Sequence, residues 1–203
     1  MILNNYYYYF IKGVPEETCD KLIKKFYSKK LHKGTIKGTS IKVRESEVIF
    51  SDDKELYDII NPFIATANEK AGWNFQWDFT ESCQFTKYGL NQYYNWHQDG
   101  SPECYPNDHR FIGYRNKYRK LSTVIALSDG SDYKGGDFEM DLRDKPMKDI
   151  KDIKDVRRII TIKELRKKGT IIVFPSFVWH RVKPVLSGTR YSLVSWTIGS
   201  PWK

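Results

Sequence analysis

Three side chains able to ligate a metal stand in two short runs of this 203-residue chain, Asn95-Trp-His97-Gln-Asp99 and Pro175-Ser-Phe-Val-Trp-His180. Two histidines and one carboxylate bind ferrous iron on one face and leave the other coordination positions open. Residues two apart in a strand point to the same side, so a strand ending at Asp99-Gly100 lets His97 and Asp99 reach one ion together. His180 would come from a distant strand. Arg190 follows ten residues later, and its planar fork could pair with the far carboxylate of an organic acid bound to that ion. Taken alone, His-x-Asp reads more simply as an N-cap aspartate beside a core histidine; the third ligand in a compatible context shifts that balance. A zinc hydrolase uses the same ligand types but leaves Arg190 without a purpose.

The elements that must position these residues can be read from pattern. Tyr6 to Ile11 is β-branched and aromatic, as a strand requires. Pro15-Glu-Glu opens a helix, since proline fits the first turn and acids favour its N-terminal dipole. Cys19, Leu22, Ile23, Phe26 and Tyr27 recur at helical spacing. Val43 to Phe50 reads as a strand. A second helix follows Ser51-Asp-Asp, with Leu56, Ile59, Ile60, Phe63, Ile64 and Ala67 on one stripe, and Pro62 is expected to kink or split it. From Trp73 onward short β segments alternate with turn residues: 75–88, 93–97, 120–127, 137–142, 170–174, 178–183 and 190–198. Two helices followed by about seven or eight strands give an α+β, mainly β protein, with a jelly-roll core. Lys148-Asp-Ile, Lys151-Asp-Ile and Lys154-Asp-Val form a three-residue repeat, read as an inserted loop that is either decoration or a lid.

The stretch from Gly169-Thr-Ile-Ile-Val-Phe-Pro through His180 to Arg190-Tyr-Ser192 resembles the iron- and 2-oxoglutarate-dependent oxygenases, in their prolyl 4-hydroxylase-like branch. The resemblance extends through Tyr88-Gly-Leu-Asn-Gln-Tyr-Tyr94-Asn-Trp-His97-Gln-Asp99, Arg119-Lys-Leu-Ser-Thr-Val-Ile-Ala-Leu-Ser128 and Tyr133-Lys-Gly-Gly-Asp-Phe-Glu139. It implies a double-stranded β-helix core with two supporting N-terminal helices, as one domain over 1–203 (1–72 helical support, 73–203 core). It implies Fe(II) on His97, Asp99 and His180, and 2-oxoglutarate held by Arg190, with Tyr88 or Ser192 offering a hydroxyl to a cosubstrate carboxylate. Tyr88 and Tyr94 read otherwise as core aromatics. With dioxygen, and ascorbate as a supporting reductant, such an enzyme hydroxylates an unactivated C–H bond and releases succinate and CO2. Apolar walls from Leu121, Ile125, Phe174, Val178, Val194 and Trp196 would keep water from the site. Where relatives often carry glycine between the tyrosine and the first histidine, this chain has Asn91, which tolerates a left-handed backbone.

The resemblance puts a prolyl residue of a peptide or protein first among substrates. A free amino acid or nucleobase, and a catalytically inactive metal-binding interaction module, are the alternatives. Composition bears on partners less sharply. The net charge is +9, and residues 143–168 carry 11 Lys/Arg against 5 Asp/Glu. Aromatics do not interleave with those charges as on a single-strand stacking platform, so a solvated basic surface is preferred to a nucleic-acid one. His32 and His109 match no motif and read as surface or loop residues. Cys19, Cys83 and Cys104 are an odd count without metal-site spacing and are read as reduced. No apolar run approaches the roughly 20 residues that span a bilayer, and Met1-Ile-Leu-Asn-Asn lacks the marks of a signal peptide. A cytoplasmic protein with no membrane partner is therefore expected, its oligomeric state left open.

Overall fold

The computed structural model describes residues 3, 5–34, 43–100, 103–142 and 159–202. The Lys-Asp-Ile repeat at 148–156 lies outside them.

The larger sheet has eight strands. β1 (Tyr8–Phe10), β12 (Ile171–Pro175), β8 (Tyr118–Ala126), β15 (Arg190–Gly199), β6 (Cys83–Tyr88), β4 (Glu47–Ser51) and β2 (His32–Lys33) lie side by side, and β5 (Phe79–Thr80) pairs with β15 off that path. The smaller sheet runs β11 (Ile159–Thr161), β10 (Phe138–Asp141), β13 (Trp179–Val182), β7 (Tyr93–His97) and β3 (Arg44–Glu45). β14 (Val185–Gly188) and β9 (Tyr133–Gly135) form a two-stranded ribbon. Every strand pairing among the described residues is antiparallel, and the two facing sheets make the jelly-roll, or double-stranded β-helix, that the sequence suggested. The segment before residue 72 supplies two helices and also β1 to β4, which extend both sheets.

α1 (Glu16–Tyr27) starts after Pro15, with Glu16 and Glu17 in its first turn and Lys24 and Lys25 in its last, each matched to the helix dipole. It buries Cys19, Leu22 and Phe26. α2 (Lys54–Lys70) buries Leu56, Ile60, Ile64 and Ala67. Contrary to expectation, Pro62 does not split α2, which is one continuous helix. Pro62 is exposed, off the buried stripe of Leu56, Ile60, Ile64 and Ala67 that packs the helix along its length.

Alternation along the strands divides the interior in two. Phe85, Leu121, Ile125, Ile171, Val173 and Leu193 face the helices, and Tyr88, Val124, Ala126, Ile172 and Phe174 face the smaller sheet. This corrects the expected cavity walls: Leu121 and Ile125 pack under the helices. β8 is buried on both faces from Lys120 to Ala126, so its sequence carries no polar alternation to tell the two sides apart.

Candidate metal centre

His97 ends β7, and Asp99 lies two residues beyond, in the bend that follows. The strand predicted to carry both stops one ligand short. Gly100 N–H donates to Ser176 O at 2.8 Å, and Gln98 bonds the Phe177 carbonyl, which fixes the bend against the turn after β12. His180 sits in β13 directly opposite His97 in the ladder. The ligand atoms of His97, Asp99 and His180 all lie within 4.8 Å of one another. Asp99 Oδ1 is 3.6 Å from His97 Nε2 and Oδ2 is 3.4 Å from His180 Nε2. A metal with bonds near 2.1 Å would set adjacent ligand atoms about 3 Å apart, a little closer than the two Asp99–histidine distances here.

Main-chain contacts decide which nitrogen each imidazole presents. His97 Nδ1 is 2.7 Å from Asn95 O and His180 Nδ1 is 2.9 Å from Val178 O. In the neutral ring Nδ1–H donates to that carbonyl, and the Nε2 lone pair is left facing the cluster. Burial, together with the neighbouring His180, lowers the His97 pKa to about 3, so the ring stays unprotonated and able to ligate. Burial raises the Asp99 carboxyl, but His180, His97 and Arg119 outweigh it and hold the net value below the usual range. The Trp196 indole N–H aims at the same carboxylate without reaching hydrogen-bond geometry. Neutral imidazoles and an ionised carboxylate are the donor set that Fe(II) requires.

The rings are packed as tightly as they are bonded. Tyr94 stacks on His97 at 3.4 Å between centroids and 9° between planes, and the Arg44 guanidinium lies over the Tyr94 ring, 4.7 Å from its centroid. Phe174 meets His180 edge-on at 4.8 Å. Tyr94, weighed from sequence as a core aromatic, thus supports a ligand ring and also lines the cavity.

That narrow cavity is walled from β15 by Arg190, Ser192, Val194 and Trp196, every second residue of the strand. Tyr88 and Gln84 of β6, Val124 of β8, Phe138 of β10 and Val182 of β13 complete it. Of the expected apolar walls, Val194 and Trp196 are present; Phe174 and Val178 belong to the packing behind. Val124, Phe138 and Val182 were missed because nothing in their runs marks the inward face. Arg190 begins β15, is paired with Tyr88 across the ladder and is 3% exposed. Its guanidinium donates to Ser192 Oγ at 3.3 Å and lies 5.5 Å from the Tyr88 ring centroid. No carboxylate among the described residues pairs with it. A buried cation without an anion is costly, so this wall suits an anionic ligand. Asn91 has a φ of 59°, the left-handed conformation expected where relatives carry glycine. His32 is exposed on β2, and His109 stacks on Tyr114 in the loop after Gly100, away from the cluster.

On the far side of Asp99 opens a wider cleft of about 290 Å³, lined by Asp99, Glu103, Cys104, Tyr105, Pro106, Lys117 and Arg119.

The 2OG-Fe(II) oxygenase superfamily model matches residues 83–198, the stretch that contains His97, Asp99, His180 and Arg190 as well as Tyr88 and Ser192. No curated protein matches the chain in sequence. Among solved structures, the chain is similar to the viral collagen prolyl hydroxylase of Paramecium bursaria Chlorella virus-1 in its 2OG complex, at 20% identity and a TM-score of 0.65 over 97% of each chain. It is similar to a Pseudomonas putida prolyl-4-hydroxylase at 17% identity and a TM-score of 0.68, over 96% of this chain and 93% of that one. A Trichoplax adhaerens prolyl hydroxylase bound to a hypoxia inducible factor peptide fragment aligns at 17% identity and a TM-score of 0.65, over 96% and 84%. At these identities the likeness carries the fold.

Proposed function

Because the chain belongs to the 2OG-Fe(II) oxygenase superfamily and is a 2-oxoglutarate-dependent dioxygenase, we propose that His97, Asp99 and His180 hold its Fe(II) and that it hydroxylates a prolyl residue in a peptide or protein. The observation that carries the site assignment is the three-ligand cluster beside a buried Arg190 with no carboxylate partner among the described residues. When bound, iron, 2-oxoglutarate and dioxygen supply the oxidising power for C–H hydroxylation, with succinate and CO2 as products. The chain's own residues bind, orient and exclude water. Arg190 pairs with the distal carboxylate of 2-oxoglutarate, Ser192 steadies the guanidinium, and the Tyr88 hydroxyl is a donor to the same ligand. The Tyr88 phenol stays protonated, since burial raises its pKa. Val124, Phe138, Val182 and Val194 keep the cavity dry.

The cleft beyond Asp99 favours an extended substrate over an enclosed small molecule, and the structural neighbours named for prolyl hydroxylation favour proline as its target. The test is a proline-containing peptide library incubated with enzyme, Fe(II), 2-oxoglutarate and air, then read by mass spectrometry. Peptides gaining one oxygen on proline, with His97→Ala giving none, are expected. Oxygen found only on free amino acids or on nucleobases would replace the peptide reading.

A further inference from the structure

Directly behind the metal cluster stands a charged pair that the ligand set does not use. Arg119, near the start of β8, meets Glu81 through both arms of its fork: Nε to Oε1 at 2.9 Å and a terminal nitrogen to Oε2 at 2.7 Å. Its other terminal nitrogen donates to the main-chain oxygen of Asp99 at 3.3 Å. The guanidinium carbon lies 4.2 Å over the Trp196 ring. Glu81 is 6% exposed and accepts a further bond from the Tyr105 hydroxyl at 2.9 Å. One ring-face contact and three hydrogen bonds fix the guanidinium's orientation, and in it Arg119 grips the residue whose carboxylate faces the cluster.

The charges need explaining. Glu81 is buried and the Arg119 side chain is 25% exposed; a partly buried ion pair adds little net stability, since desolvation offsets much of the attraction. A lone arginine beside a cation site would also repel the ion. Glu81 cancels that charge while keeping the grip. We infer that Glu81 and Arg119 act as a net-neutral strut, positioning residues that hold the Asp99 backbone so that its carboxylate meets the metal. The inference rests on the assignment of Asp99 as a ligand. It also links the metal centre to the loop carrying Tyr105, which walls the cleft.

The test is a titration of Co(II) into the metal-free wild type, Glu81→Gln, Arg119→Lys and His97→Ala, read by visible absorption, with each metal-free thermal midpoint measured alongside. Glu81→Gln keeps the shape and leaves the guanidinium charge uncompensated; Arg119→Lys keeps the charge and loses the fork. Removing partners that orient a metal ligand costs about 10- to 100-fold in metal affinity, and a rise of that size in the Co(II) Kd is expected for both variants, with an altered cobalt spectrum. An unchanged Kd and spectrum in Arg119→Lys overturns the strut, and so does a lowered thermal midpoint with unchanged Kd in Glu81→Gln. If Glu81→Gln does not fold, Arg119→Lys decides alone. A wild type that takes no Co(II), or a His97→Ala variant that binds it equally well, removes the ligand assignment and the strut together. Unchanged binding in the pair variants alone removes only the strut.

Discussion

At the scale of single residues, the site depends on which protonation state and which atom each side chain presents. Arg190→Ala removes a charge-assisted contact of roughly 1.5–3 kcal/mol, so the 2-oxoglutarate concentration for half-maximal succinate formation should rise about 10- to 150-fold. A half-maximal concentration equal to wild type would contradict the clamp. Protonation gives a second expectation, for the metal-free protein. His97 has a folded pKa near 3 against an ordinary value of 6.5, so below about pH 6.5 the unfolded state binds a proton that the folded state refuses. Its contribution to stability is therefore full above pH 6.5 and lost progressively as pH falls toward 3. Chemical denaturation across that range should show the decline, and His97→Phe should flatten it. The metal ligands and Arg190 were legible in the sequence because their chemistry depends on residue type and order. Arg119, Glu81 and Arg44 were not, since an arginine in a strand looks the same whether it grips a ligand's backbone or faces solvent.

At the scale of elements, register delivers the side chains. β15 aims Arg190, Ser192, Val194 and Trp196 into the cavity by strand alternation alone, and the β7–β13 ladder sets the two histidines opposite each other. The turn that starts β15 in register depends on Gly188, whose φ is 73° and where a Cβ would come 2.0 Å from the Asp132 carbonyl oxygen. Gly188→Ala should cost at least about 1–3 kcal/mol of strain, visible in urea unfolding, and should weaken 2-oxoglutarate binding by displacing Arg190. Wild-type stability in that variant would show the turn to be more yielding than its geometry indicates. Helix faces and long strands were readable from periodicity, whereas β2, β5, β9 and β14, of two to four residues each, are too short to carry a period. Strands buried on both faces hid their parity, which is why Leu121 and Ile125 were placed on the cavity and Val124 was not.

At the scale of the whole molecule, one sheet serves two interiors, with helices packed on one face and the metal cavity on the other. Phe85 ties the helices to the sheet: it is fully buried, stacked 5.1 Å from Phe26 of α1 and 5.7 Å from Tyr191 of β15. Phe85→Ala should destabilise the fold by about 3–5 kcal/mol, measured by thermal or urea unfolding; a loss well under 1 kcal/mol would mean the helices do not brace the sheet. No helix among the described residues is long and apolar enough to cross a membrane. The β-rich character and the motif order pointed to the jelly-roll because both follow from local pattern. Strand order and the joining of β1 to β4 to the two sheets depend on long-range pairing, which no local pattern records.

The central claim is that His97, Asp99 and His180 form the iron site of a working oxygenase. It is tested most directly by succinate formation from 2-oxoglutarate under air with Fe(II), comparing wild type with Asp99→Ala at matched thermal stability. The account predicts iron-dependent succinate from the wild type and none from the variant. Equal succinate from both, or none from a wild type saturated with iron, 2-oxoglutarate and peptide, would contradict it.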